Sequence, residues 1–92
     1  MGHTAFKNLI DLIEELEIIR SFEGIKEKKP GIFYLKSSSF LHFHDSDGKR
    51  WADVKLKSGW KKVDIDFSAS LSQRKKFIDQ VKYHYEEIYK GS

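Results

Sequence analysis

Phe40 to Trp51 reads Phe-Leu-His-Phe-His-Asp-Ser-Asp-Gly-Lys-Arg-Trp, and no other stretch so limits what the chain can become. Apolar and polar residues alternate from Phe40 to Asp45, and Ser46-Asp47-Gly48 supplies a turn in which Gly48 can take the positive φ that hairpin loops need. A second alternating run follows from Trp51 to Leu56. The pattern specifies two antiparallel strands, and it carries the paired histidines His42 and His44 and one of the 2 tryptophans.

The rest of the chain organises around that hairpin. Phe6, Leu9, Ile10, Ile13 and Leu16 recur at helical spacing with Lys7, Asp11, Glu14, Glu15 and Glu17 opposite, so the sequence predicts an amphipathic helix over residues 4–20, with Thr4 as its N-cap. Lys26 to Gly31 is a charged run closed by Pro-Gly and reads as a solvated loop. Strands are expected over residues 32–36, 40–45, 50–56 and 61–67, with turns at Ser37-Ser38-Ser39 and Lys57-Ser58-Gly59. Ser70 and Gln73 match a capping box ahead of a helix over residues 71–89, whose apolar stripe is Phe77, Ile78, Val81, Tyr85 and Ile88. The expected fold is α+β in the order α-β-β-β-β-α: one domain over residues 1–92, a four-stranded antiparallel meander with two helices packed on one face.

Alternation sorts the strands into two faces. Phe33, Leu35, Leu41, Phe43, Ala52, Val54, Leu56, Val63, Ile65 and Phe67 form an apolar side for the helices to cover. The other side collects Ile32, Tyr34, Phe40, His42, His44, Trp51, Asp53, Lys55, Lys62, Asp64 and Asp66. Four-residue loops in both hairpins would give the rows His42-Asp53-Asp64 and His44-Trp51-Asp66. Two carboxylates placed opposite each other repel, so that register asks for a cation or a shared proton.

The candidate ligand-binding residues are therefore Tyr34, His42, His44, Trp51, Asp53, Asp64 and Asp66, and the candidate metal ligands are His42, His44, Asp53 and Asp64. Two imidazoles with carboxylates suit a divalent metal such as zinc, manganese or iron, although a His-x-His pair on an exposed strand is more often plain surface. An Asp53-oriented imidazole could act as a general acid or base, yet no nucleophile motif accompanies it. Asp45-Ser46-Asp47-Gly48 begins like a calcium loop but meets Lys49, Arg50 and Trp51 where a further carboxylate belongs. Arg74-Lys75-Lys76 opposes the dipole at the start of its helix and reads as a solvated face unless an anion compensates. Trp51 and Trp60 could stack a base, but in a small domain an aromatic residue is more often packing.

Composition narrows the classes further. With 39% hydrophobic and 34% charged residues, the 92-residue chain has the material for a single core, filled by large rings at 14% aromatic content. It contains no cysteine, so disulfides and thiolate metal sites are excluded, which fits a reducing compartment. There is no apolar run long enough to span a membrane and no signal-peptide layout, and the expectation is a cytoplasmic protein with no membrane partner. A net charge of +3, from 17 basic against 14 acidic residues mixed along the chain, is a weak signal for nucleic acid. The aromatic face also offers a surface for homodimerisation.

The strand pair ending in His42-Phe43-His44, the Ala52-Asp53-Val54 strand, Ser58-Gly59-Trp60 and a terminal helix with Tyr83, Tyr85 and Tyr89 resemble a family of small domains known as luciferase-like. The resemblance implies the αβ layout and no established activity, cofactor or substrate. The family pattern has a helical segment before its Ser-Gly-Trp, whereas here Lys57 follows Leu56 directly. The helix-strands-helix order also resembles double-stranded-RNA-binding-like folds, including small toxin ribonucleases, though Ser37-Ser38-Ser39 replaces the histidine-bearing strand of those proteins. Three functions follow as expectations: a binding or interaction module using the polar, aromatic face; a nucleic-acid binder or ribonuclease; and a divalent-metal-dependent enzyme.

Overall fold

In the computed structural model, which describes residues 5–91, five antiparallel strands lie side by side in chain order. They are β1 (Ile25–Lys29), β2 (Ile32–Leu35), β3 (Ser38–Ser46), β4 (Lys49–Leu56) and β5 (Gly59–Asp64). Helix α1 (Ile13–Arg20) precedes the sheet and α2 (Leu71–Gly91) follows it. Both cover the same face, because Leu16, Ile19, Phe77 and Val81 share one buried cluster with Phe33, Phe43, Ala52 and Val54. The architecture is the expected α+β one, with five strands in place of four.

The added strand is β1, formed by the charged run read above as a loop. Ile25, Lys26 and Glu27 pair with Leu35, Tyr34 and Phe33. Only Ile25 of this strand packs against the core, so hydrophobicity does not mark it. It is an edge strand, where charge is tolerated and discourages further pairing. Glu27 anchors it, accepting hydrogen bonds from Arg20 Nε and, at 3.0 Å, from the Gly31 amide.

The N-terminal segment departs from one continuous helix. Phe6–Asn8 and Ile10–Leu12 are 3-10 turns, and regular α-helix starts only at Ile13. The Asn8 carbonyl, which an α-helix would direct to the Leu12 amide, accepts instead from Arg50 Nη1 at 2.8 Å, while Leu12 N bonds Leu9 O at 2.9 Å. The buried stripe consequently becomes Leu9, Leu12, Leu16 and Ile19, and Phe6, Ile10 and Ile13 are exposed. The expected cap Thr4 lies outside the described residues. At α2 the capping box is present: Gln73 N donates to Ser70 Oγ at 3.1 Å, and Ser70 N donates to Gln73 Oε1 at 2.8 Å.

Two details of register matter for the site. Phe33 pairs with Leu41 but Tyr34 pairs with Ser39, which leaves Phe40 as a bulged residue. The bulge turns Phe40 into the core, 1% exposed, against the edge of Tyr85, and corrects its assignment to the polar face. In the second hairpin Leu56 pairs with Gly59 across Lys57-Ser58, so the loop has two residues rather than four. A slip by two keeps every side chain on its face while exchanging its partners.

A buried arginine closes the fold on the core side. Arg50 is 1% exposed and uses all five of its N–H donors: Nε to Ile65 O at 2.9 Å, Nη1 to Asn8 O at 2.8 Å and Asp11 Oδ1 at 2.7 Å, and Nη2 to Asp11 Oδ2 at 2.9 Å and Asp66 O at 2.7 Å. Its guanidinium also lies 4.8 Å from the Phe67 ring centroid. One side chain thereby ties the N-terminal turns, β4 and the segment after β5.

Candidate functional site

The face of the sheet that the helices leave open is built by β3, β4 and β5. His42 and His44 alternate with core residues Leu41 and Phe43 on β3, Trp51 and Asp53 alternate with Ala52 and Val54 on β4, and Trp60, Lys62 and Asp64 follow on β5. His42 lies opposite Asp53 and His44 opposite Trp51, as the sequence predicts. The next row differs: Asp53 faces Lys62 and Trp51 faces Asp64. The opposed carboxylates inferred above do not occur, since the shorter loop pairs Asp53 with Lys62 instead.

Three side chains converge. His42 Nδ1 is 2.7 Å from His44 Nε2, and the same His44 nitrogen is 3.0 Å from Asp53 Oδ2. The three ligand atoms all lie within 4.8 Å of one another, and all three residues are half-buried. The imidazole rings stand nearly perpendicular, at 83° with centroids 4.7 Å apart, which turns two nitrogens of neighbouring alternate positions toward one point. His44 Nε2 can carry one in-plane proton, so it cannot direct a linear hydrogen bond at both His42 and Asp53. A cation among the three atoms would accept one lone pair from each.

Aromatic walls hold this arrangement. Trp51 stacks on His44 at 28° and 5.8 Å, with the Lys62 ammonium 4.6 Å from the indole centroid. Trp60 contacts the His42 ring at 5.0 Å, and Lys55 lies 5.0 Å from Trp60. Each indole thus carries one imidazole and one ammonium, limiting ring rotation at the convergence point.

The remaining sequence candidates stand apart. Tyr34 is on the open side of β2, paired with Lys26 and Ser39 and lying under Lys28 at 5.5 Å, while Ile32 is the residue opposite His42. Asp64 is exposed beside Trp51 and does not belong to the converging set. Asp66 lies beyond β5, where its carbonyl serves Arg50 and not the open face. Trp60 and Lys62 belong to the site through the two-residue loop. Arg74 does find an anion: its Nε lies 3.3 Å from buried Glu15 Oε2 and its Nη1 donates to Ala69 O at 2.9 Å, which offsets a cation in the first turn of α2.

Comparison with protein-family models, curated proteins and solved structures finds no match for this chain. No helix among the described residues is long and apolar enough to cross a membrane.

Proposed function

We propose that the chain is a binding module whose open sheet face takes up a divalent transition-metal ion through His42, His44 and Asp53. The observation that carries this reading is that His42, His44 and Asp53 each bring a ligand atom within 4.8 Å of the other two. Zinc bonds imidazole and carboxylate at about 2.0–2.2 Å, so tetrahedral ligand atoms sit about 3.3 Å apart. The observed 2.7 and 3.0 Å separations need to open by a few tenths of an ångström, and the His42 and Asp53 ligand atoms lie within 4.8 Å of each other. Two nitrogens and one oxygen favour zinc, iron or manganese over calcium and magnesium, which prefer all-oxygen shells.

Three protein ligands leave a position open toward solvent, where a metal can hold water or a ligand group as a Lewis acid. Trp51, Trp60, Lys55 and Lys62 lie beside the two imidazoles, and the ammoniums would favour an anionic ligand there. Nucleic-acid binding by base stacking draws less support, because each indole is already engaged by an imidazole and an ammonium.

Thermal unfolding and calorimetric titration with zinc test the proposal. The expected result is one ion per chain and a midpoint raised by several degrees, with the shift lost in His42→Ala and Asp53→Ala and unaltered by equal calcium or magnesium. An absent shift, or one that persists in His42→Ala, overturns it. Sedimentation at several concentrations, with and without zinc, reports whether the same face also joins two copies.

A further inference from the structure

A cleft of about 460 Å³ opens at the end of the β3–β4 pair farthest from the Asp47-Gly48 turn, where the last residues of α2 cross the sheet. Its walls are apolar, formed by Leu35, Phe40, Leu56, Ile88 and Tyr89, and the bulged Phe40 makes it continuous with the core. Its rim carries Lys36 and Lys57, while Lys55 lines it with its ammonium over Trp60 and Glu23 reaches only the Tyr89 side chain. Ser38 and Ser39 add hydroxyl donors at the same rim.

The backbone at the rim is informative. Lys36 and Ser37 occupy a hairpin loop with φ of 50° and 76°, positions where glycine, asparagine or aspartate would sit with less strain. The chain has a lysine there instead, and its ammonium lies 4.5 Å from the Tyr89 ring centroid, which holds the charge over the cleft mouth.

We infer that this cleft binds a single-chain amphiphile with a carboxylate head, a free medium-chain fatty acid. The alkyl chain lies along Leu35, Phe40, Leu56 and Ile88, and the carboxylate faces Lys36 and Lys57 with the serine hydroxyls beside it. The volume is in the small-molecule range of about 300–1,000 Å³. A peptide segment would press unsatisfied backbone groups against the apolar wall, and an uncharged hydrocarbon would bring no anion to Lys36 and Lys57 at the rim. The cleft is separate from the His42, His44 and Asp53 cluster, and its occupation is independent of metal.

Titration calorimetry with octanoate, decanoate and dodecanoate, each below its micellar concentration, tests the inference. Affinity is expected to rise roughly two- to fourfold per methylene, as partial to full burial of the chain requires. Decanol should bind at least about tenfold more weakly than decanoate, and Lys36→Gln with Lys57→Gln should erase that preference, since charge-assisted bonds are the stronger ones. Ile88→Trp, which fills the cleft, should abolish binding of both, and His42→Ala should change nothing. Equal affinity for decanol and decanoate, independence of chain length, or no binding at all overturns the inference.

Discussion

Arg50 and Asp11 form a two-pronged ion pair across 39 residues of sequence, with Nη1 2.7 Å from Oδ1 and Nη2 2.9 Å from Oδ2. The guanidinium is fully buried, whereas the Asp11 side chain remains 39% exposed. A buried arginine is tolerable only when its charge and every donor are matched, and here three backbone carbonyls complete the set. Arg50 sits behind the sheet from the candidate metal site, on the strand that carries Trp51 and Asp53.

Removing the guanidinium should therefore cost more than most core truncations. Arg50→Ala leaves three carbonyls and a carboxylate without their partner, and a loss of about 3–5 kcal/mol is expected. Arg50→Lys keeps the charge but not the planar fork, so it should forfeit most of the same stability. Urea unfolding with an unchanged m-value reads both. A lysine variant within about 1 kcal/mol of the parent would show that the fork geometry is immaterial.

Acid should expose the same pair. The Arg50 hydrogen bonds, outweighing partial burial, hold the Asp11 carboxyl below its ordinary value. A carboxyl depressed in the folded state contributes stability that is complete above its unfolded pKa, about 3.9, and is lost as pH falls through the lower folded value. Urea midpoints measured between pH 6 and pH 2 should fall less steeply for Asp11→Asn than for the parent. Parallel slopes would mean that Asp11 carries no such linkage.

Much of this was legible in the sequence, and the failures have physical causes. The first hairpin was readable because Asp47-Gly48 fixes its turn, giving His42 opposite Asp53 and His44 opposite Trp51. The second was misread by two residues because Lys57-Ser58 carries no comparable turn chemistry, and the error moved Asp64 and Asp66 into a row that Lys62 and Asp64 occupy. Strand β1 was hidden because an edge strand need bury little, and Ile25 is its one residue packed on the core. Arg50 was legible in principle: the period that places Ala52 and Val54 inside places Arg50 inside too, but arginine is almost never fully buried without a partner, and Asp11 is remote in sequence. No local pattern announces a bulge such as that at Phe40.

Gly31 and Gly48 offer a paired test of close packing. Both have left-handed φ, 79° and 77°. A Cβ at Gly31 would come within 2.7 Å of buried Leu9 Cδ1, whereas one at Gly48 meets nothing within 4 Å. Gly48→Ala should cost about 1–2 kcal/mol from backbone strain alone. Gly31→Ala should lose a further 1–3 kcal/mol or so from overpacking, because the buried Leu9 side chain must shift to admit the Cβ. Equal losses in chemical denaturation would show that the contact relaxes freely.

Lys62 and Asp64 discriminate the proposed metal site from a general acidic surface. Lys62 is paired with Asp53 and its ammonium lies over the Trp51 ring, so it adds positive charge near a divalent ion held by that carboxylate. Removing it in Lys62→Ala should tighten zinc binding by roughly two- to fivefold at moderate salt, a modest gain because exposed charges are screened. Asp64 is outside the converging atoms, and Asp64→Asn should leave the affinity within about twofold, the scale of a screened exposed charge. Calorimetric titration of the two variants beside His44→Ala gives the pattern: one gain, one near-neutral change, one loss. A large loss in Asp64→Asn would place the ion on β5 instead, with Asp64 as a ligand and the His42, His44 and Asp53 cluster as a hydrogen-bonded surface group.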